Sequence, residues 1–263
     1  MSHPLDELPS TLRLERAGKV AVLTLARPEK RNALNDETVL GIERFFTNLP
    51  ADVAAVVIAA DGDHFCAGLD LAEMKERDTL AGVQHSRMWH RVFDLIESGP
   101  VPVISALKGA VVGGGLELAA ATHLRVAERS TFYALPEGIR GIFVGGGGSV
   151  RIPRLIGVAR MADLMLTGRR YSADEGAALG LSQYVADDGA GLDLALDLAA
   201  RIAENAFQTN FAIVQALPRI AEANPREGYF MEAMMAAIAQ GTDDAKQRMQ
   251  AFLDGRAQKV TDR

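Results

Sequence analysis

Over the first 110 residues, the apolar positions of the chain switch between two periods. Leu12 and Leu14 alternate with polar neighbours, Ala17-Gly18 breaks the run, and Val20 to Leu25 resumes it, which predicts a β-hairpin over 11–25. Val39, Ile42, Phe46 and Leu49 then recur every three to four residues, with Asn35 placed to cap the helix they predict. Val53 to Ala59 is a continuous, valine-rich run, the pattern of a strand buried on both faces. Met88, Val92, Phe93 and Ile96 predict a second helix, and Val101 to Leu107 repeats the buried-strand pattern. Strands and helices that alternate in this way predict an α/β fold with parallel pairing.

After about residue 150 the pattern changes. Ser172-Ala173-Asp174-Glu175 has the form of a capping box opening a short helix. From Gly191 onward Ala, Leu, Met and Glu dominate, and Asn224-Pro225 and Gly241-Thr242 divide the region into separate helices. The chain therefore reads as an α/β core over 1–190 followed by a helical region over 191–263.

Composition narrows the function classes. With 263 residues and 48% hydrophobic positions, a sizeable core needs no disulfide or structural metal. The single cysteine, Cys66, excludes an intrachain disulfide and a thiolate metal site, and suits a reducing cytoplasm. No metal is expected, since the histidines form no H-E-x-x-H. Val101 to Ala121 approaches the ~20 residues of a membrane span, but Lys108, Glu117 and Gly113-Gly114-Gly115 interrupt it. The opening MSHPLDELPS lacks the basic start and apolar centre of a secretory leader. A cytoplasmic protein with no membrane contact is the expectation. The net charge of −6 argues against nucleic acid as a partner, and raises the question of how an anionic ligand would be held.

Familiar phosphate and nucleophile motifs are missing. There is no G-x-x-x-x-G-K-[ST], the glycines at 113–115 and 145–148 do not complete G-x-G-x-x-G, and Ser149 lacks the closing glycine of a nucleophile elbow. Two glycine-bearing turns are more informative. His64-Phe65-Cys66-Ala67-Gly68-Leu69-Asp70-Leu71 follows the first buried strand, and Gly109 to Leu118 follows the second. Ligands of parallel α/β proteins gather at the carboxyl ends of strands. Glycine there leaves backbone N–H groups uncovered, and a pair of them is what a developing oxyanion requires. Packing alone also accounts for such turns. Glu117 lies in an apolar stretch just after the triple glycine, and Glu137 follows in Pro136-Glu137-Gly138. A carboxylate in apolar surroundings shifts toward the working range of a general acid or base. The alternatives are a helix-dipole acid at 117 and a solvated turn residue at 137, and spacing alone does not bring the two together.

From about residue 12 to 256 the chain resembles the crotonase superfamily of enoyl-CoA hydratases and isomerases. The landmarks are Arg27-Pro28-Glu29-Lys30-Arg31-Asn32-Ala33-Leu34, Phe65 to Asp70, Gly113 to Leu118 and Pro136-Glu137. Gly145 to Gly148 with Arg154-Leu155-Ile156-Gly157, then Asp243-Asp244-Ala245 and Ala251-Phe252-Leu253, complete the series. The resemblance implies a ββα spiral core with a helical C-terminal region, assembled as a homotrimer or homohexamer. It implies an acyl-CoA thioester substrate and no separate cofactor, coenzyme A entering as part of the substrate. It places Leu69 and Gly114 N–H in an oxyanion hole and makes Glu117 and Glu137 the acid–base pair. Lys30, Arg31, Ala33, Ala67, Gly68, Asp70 and Leu71 would line the substrate and its CoA, with Phe252 and Arg256 reaching a neighbouring subunit's CoA. Syn hydration of a trans-2-enoyl-CoA is the implied reaction; double-bond isomerisation, another reaction of the superfamily, or non-catalytic acyl-CoA binding are the alternatives. Two departures stand out. Arg140 occupies a segment that is usually apolar, where it either pairs with Glu137 or is solvated, and Gly255 replaces a common lysine, leaving Arg256 to serve the phosphates. Arg27, Lys30, Arg31 and Lys75 are the cations expected beside the nucleotide.

Overall fold

A computed structural model describes residues 8–73 and 78–256. The chain opens with β1 (Leu12–Ala17) and β2 (Val20–Leu25), the predicted antiparallel hairpin, turning at Gly18-Lys19 rather than at Ala17-Gly18. α1 (Asp36–Thr47) follows, and the Asn35 side chain caps it by accepting from the Thr38 N–H. Its buried face carries Val39, Ile42, Phe45 and Phe46; Leu49 lies beyond its end. β3 (Ala55–Ala60), α2 (Thr79–Glu97), β4 (Val103–Leu107), β5 (Ala110–Val112) and α3 (Gly114–Ala121) continue the alternation. Val101 to Ala121 thus breaks into two strands and a short helix. Among the described residues no helix is long and apolar enough to cross a membrane.

The chain continues through β6 (Leu124–Glu128), β7 (Phe132–Ala134), α4 (Gly148–Ile156) and α5 (Val158–Thr167) to β8 (Arg170–Ser172), α6 (Ala173–Leu179) and β9 (Tyr184–Ala186). The capping box is present at α6, with both reciprocal bonds between Ser172 and Glu175. α7 (Gly191–Ala203), α8 (Phe207–Glu222), α9 (Pro225–Gly241) and α10 (Asp243–Leu253) complete the described chain, α9 and α10 starting at the caps Asn224 and Thr242.

Two sheets organise these elements. The larger has the order β1-β2-β3-β4-β6-β9 and is parallel from β2 onward. Every residue of β2, β3 and β4 is buried, or nearly so, as the continuous apolar runs require. The smaller sheet is β5-β7-β8, and isolated parallel bridges Leu34↔Leu69 and Cys66↔Val111 extend its layer. After β2, β3 and β4 in turn, the chain crosses to this second layer for a few residues and then enters a helix. That repeat of strand, short strand and helix is the ββα spiral expected from the resemblance.

One core cluster fills the space between the layers and their helices. A second lies on the far face of the large sheet, where Val22, Val57, Ile104 and Val126 meet Ala195 and Ala199 of α7. The alanines let α7 approach the sheet closely. This first helix of the C-terminal region therefore covers the core itself, while α8, α9 and α10 pack successively on one another.

Candidate active site

The site begins with the two glycine-bearing turns. β3 and β4 are neighbours, so the turns that follow them lie side by side. In the first, Leu34 N–H donates to the Gly68 carbonyl and Asp70 N–H to the Leu34 carbonyl, both at 2.8 Å. Bonds to the residues flanking Leu69 turn its own N–H to the opposite side. Gly113, at φ 54 and ψ −122, occupies backbone space that only glycine enters readily and swings the chain into α3. Gly114 is the first residue of α3, so its N–H has no partner within the helix and lies at the positive end of the helix dipole. The two amides are neighbours: a Cβ on Gly114 would stand 3.4 Å from Leu69 N, and one on Gly68 would stand 3.3 Å from Gly114 N.

Both glutamates face the same cavity of about 320 Å³, which Leu69 and Gly114 also line. Glu117 sits on the first turn of α3 and is buried. Its Oε1 accepts from the N–H groups of Gly146 and Gly148, each at 2.8 Å. Burial raises its pKa, against the amide bonds and the Arg151 charge, which favour the anion. Glu137 leaves β7 into a 3-10 turn, Gly138–Arg140. A Cβ on Gly113 would stand 2.9 Å from its Oε1, so this carboxyl lies beside the two amides. Its Oε2 is buried without a hydrogen-bond partner. Burial, with help from the nearby Glu117 charge, pushes its pKa up to about 7. Glu137 is thus no solvated turn residue.

Other expected site residues distribute as follows. Ala67, Gly68, Leu71 and Arg140 also line the cavity. Arg140 is exposed and forms no ion pair with Glu137 among the described residues, but its charge at the same cavity favours the ionised form of Glu137. Lys30 and Arg31 are exposed and Ala33 half-buried, on a segment joined to the first turn by Ala67 N–H donating to the Arg31 carbonyl. Asp70 and Arg27 are paired with each other, Arg27 Nη1 lying 2.7 Å from Asp70 Oδ2. Lys75 lies outside the described residues. Phe252 lines a separate depression with Ala206, Thr209 and Met249, and Arg256 pairs with Asp254 at 2.7 Å. Neither reaches the cavity of its own chain. Among the described residues no cluster of three or more His, Cys, Asp or Glu side chains is placed to hold a metal.

Two contributors went unrecognised in the sequence. The glycines at 145–148, named there as a landmark of the resemblance but given no role in the site, provide the amide cradle of Glu117. Trp89 is buried on α2 and lines the cavity; its position with Val92, Phe93 and Ile96 at helical spacing was the available signal.

A ββα spiral that sets two adjacent amides against two buried carboxylates defines a class of protein suited to holding a carbonyl oxygen while protons move beside it. Comparison with known proteins gives the class its family. The model of the enoyl-CoA hydratase/isomerase family matches residues 15–263. The chain is 32% identical to the short-chain-enoyl-CoA hydratase of Clostridium acetobutylicum, over 92% of this chain and 94% of that protein. It is 33% identical to the crotonyl-CoA hydratase of Syntrophomonas wolfei, over 92% and 95%. A solved structure from Rhodopseudomonas palustris, provisionally called an enoyl-CoA hydratase, superposes with a TM-score of 0.92 at 60% identity, covering 94% of this chain and 96% of that one. The chain belongs to the enoyl-CoA hydratase/isomerase family.

Proposed function

We propose that this protein is an enoyl-CoA hydratase that adds water syn across the 2,3 double bond of a 2-enoyl-CoA. The observation that carries the reading is the convergence of Glu117 and Glu137 on the cavity that holds the Leu69 and Gly114 amides. The thioester oxygen accepts from those two N–H groups, which draws charge onto it and makes Cβ electrophilic. Glu117, with Oε1 fixed by two amides, orients a water and takes its proton as oxygen attacks Cβ. Glu137, poised near 7, is protonated often enough at neutral pH to deliver a proton to Cα. Because the two carboxyls influence each other, their titrations belong to the pair.

The exposed Lys30 and Arg31 supply positive charge for the CoA phosphates beside the 67–70 turn, so a net charge of −6 is no obstacle. The exposed Phe211, Leu217, Tyr229 and Phe230 of α8 and α9 support a homotrimer or homohexamer, which light scattering would test.

The deciding assay follows loss of the enoyl-thioester absorbance with crotonyl-CoA and longer 2-enoyl-CoAs. Hydration is expected, and Glu117→Gln and Glu137→Gln are each expected to abolish it while leaving acyl-CoA affinity nearly intact. Conversion of a 3-enoyl-CoA without any hydration would replace this reading with an isomerase; acyl-CoA binding with no turnover of either would replace it with a binding protein.

A further inference from the structure

The amides that hold Glu117 sit in a glycine run that is itself held from outside. Arg151, on the first turn of α4, is 9% exposed, which is rare for an arginine. Its Nε donates to Glu97 Oε2 at 2.6 Å, at the end of α2, and its Nη1 donates to the Gly146 carbonyl at 3.1 Å. Gly146 is therefore fixed at both poles, its carbonyl by Arg151 and its N–H by Glu117. The guanidinium also lies tight against the next residue, since a Cβ on Gly147 would stand 2.3 Å from Nη1. A chain of direct contacts thus runs from Glu97 at the surface, through Arg151 and Gly146, to Glu117 in the cavity.

We propose that Arg151 is a positioning residue for Glu117, and that the Glu97–Arg151 pair tunes the charge state of Glu117 across the glycine run. This rests on the reading of Glu117 as the base. The other charged or titratable groups facing this region are few. Glu137 and Arg140 line the cavity, as does His85 of α2, which is bonded to Asp36. His90 lies beside Gly147, and Arg154 further along α4 pairs with Glu222. His123 bonds the Glu97 carbonyl and is kept neutral by burial, and Arg125 beyond it bonds the carbonyls of Leu181 and Thr122. Among the described residues Arg151 is the cation bonded to the cradle, and Glu97 offsets part of its charge.

Substitutions at the two ends of the pair must therefore move Glu117 in opposite directions. Arg151→Met removes the cation, so the acid limb of the kcat/KM profile should rise. Arg151→Lys keeps the charge and should return the limb toward its original position. Glu97→Gln leaves Arg151 unneutralised, so the limb should fall, by less because Glu97 is half exposed. A carbon-13 titration of the Glu117 carboxyl, assigned by its loss in Glu117→Gln, reads the same shifts without turnover. It distinguishes failure of this proposal from failure of the hydratase reading. Opposite shifts support the proposal; shifts in the same direction, or none with Arg151→Met, overturn it. If Arg151→Met does not fold, Glu97→Gln decides: a downward shift supports the proposal, and no shift or an upward one overturns it.

Discussion

The indole of Trp89 lies directly against Gly114. A Cβ on that glycine would stand 2.9 Å from Cζ3 and 3.3 Å from Cη2 of the ring. The same edge presses on the cradle of Glu117, because a Cβ on Gly146 would stand 3.1 Å from Cε3. Behind the indole, Phe93 packs edge-on at 5.5 Å between ring centroids and is fully buried. One rigid side chain therefore braces the Gly114 amide and the support of the Glu117 carboxylate at once.

Gly114→Ala is expected to damage both catalysis and stability, since the ring it meets has no room to retreat. Displacing one oxyanion donor should lower kcat by about 10²–10³-fold, and forcing a methyl against a packed ring should cost about 1–3 kcal/mol. Trp89→Ala combined with Gly114→Ala should lose less stability than the two single changes added together. Thermal unfolding of the four proteins checks this. Simple additivity would show that the two residues do not press on one another.

Gly148→Ala attacks the other half of the site. Its Cβ would stand 2.7 Å from Glu117 Cγ and 2.9 Å from Oε1. The carboxylate must move off its amide donors, so kcat should fall at least 10²-fold with a much smaller change in KM. Ser149→Ala, one residue further and exposed, should leave both constants near the wild-type values. Steady-state kinetics on the pair separates displacement of Glu117 from general disturbance of α4.

The parts of this architecture legible in the sequence are those in which burial repeats. β3 and β4 are buried along their whole length, and their valine-rich runs say so; α1 announces itself through Asn35 and the spacing of Val39, Ile42 and Phe46. β5, β7, β8 and β9 are only three residues each, too short to establish a period, and their pairing comes from contacts distant in sequence. The glutamates could be singled out by residue type, and the resemblance supplied their pairing. The cradle of Glu117 stayed hidden because it is made of backbone N–H groups, which any residue type can present. Its outer support crosses from α4 to α2, over 54 residues between Glu97 and Arg151, a link that no local pattern encodes.

Cys66 gives a test of how dry this core is. It lies fully buried under the first glycine turn, and burial pushes its thiol up to about 12. The thiolate is the reactive form, so in the native protein at pH 8 it should not react with a disulfide reagent such as DTNB. In denaturant one equivalent should react quickly. Rapid labelling of the native protein would show that the turn from Cys66 to Leu69 opens readily, which is incompatible with a fixed Leu69 amide.

Glu137 ties activity and stability to one ionisation. Its pKa of about 7 in the folded protein lies above the ordinary 4.5, because the buried site favours the neutral acid. The rise corresponds to ~3 kcal/mol as an upper figure. This contribution to stability is fully present below about pH 4.5 and is lost as the pH climbs through 7, where the buried carboxyl is forced to ionise. In the proposed role of proton donor to Cα, Glu137 must be protonated, so kcat should also decline above about pH 7. Glu137→Gln removes the ionisation and nearly preserves the shape. The variant should be inactive yet more stable than the wild type at pH 8–9, with the difference vanishing toward pH 4.5. Thermal unfolding from pH 5 to 9 measures it: a difference between the two proteins that stays constant across that range would mean that Glu137 does not titrate near 7, and would remove it as the proton donor at neutral pH.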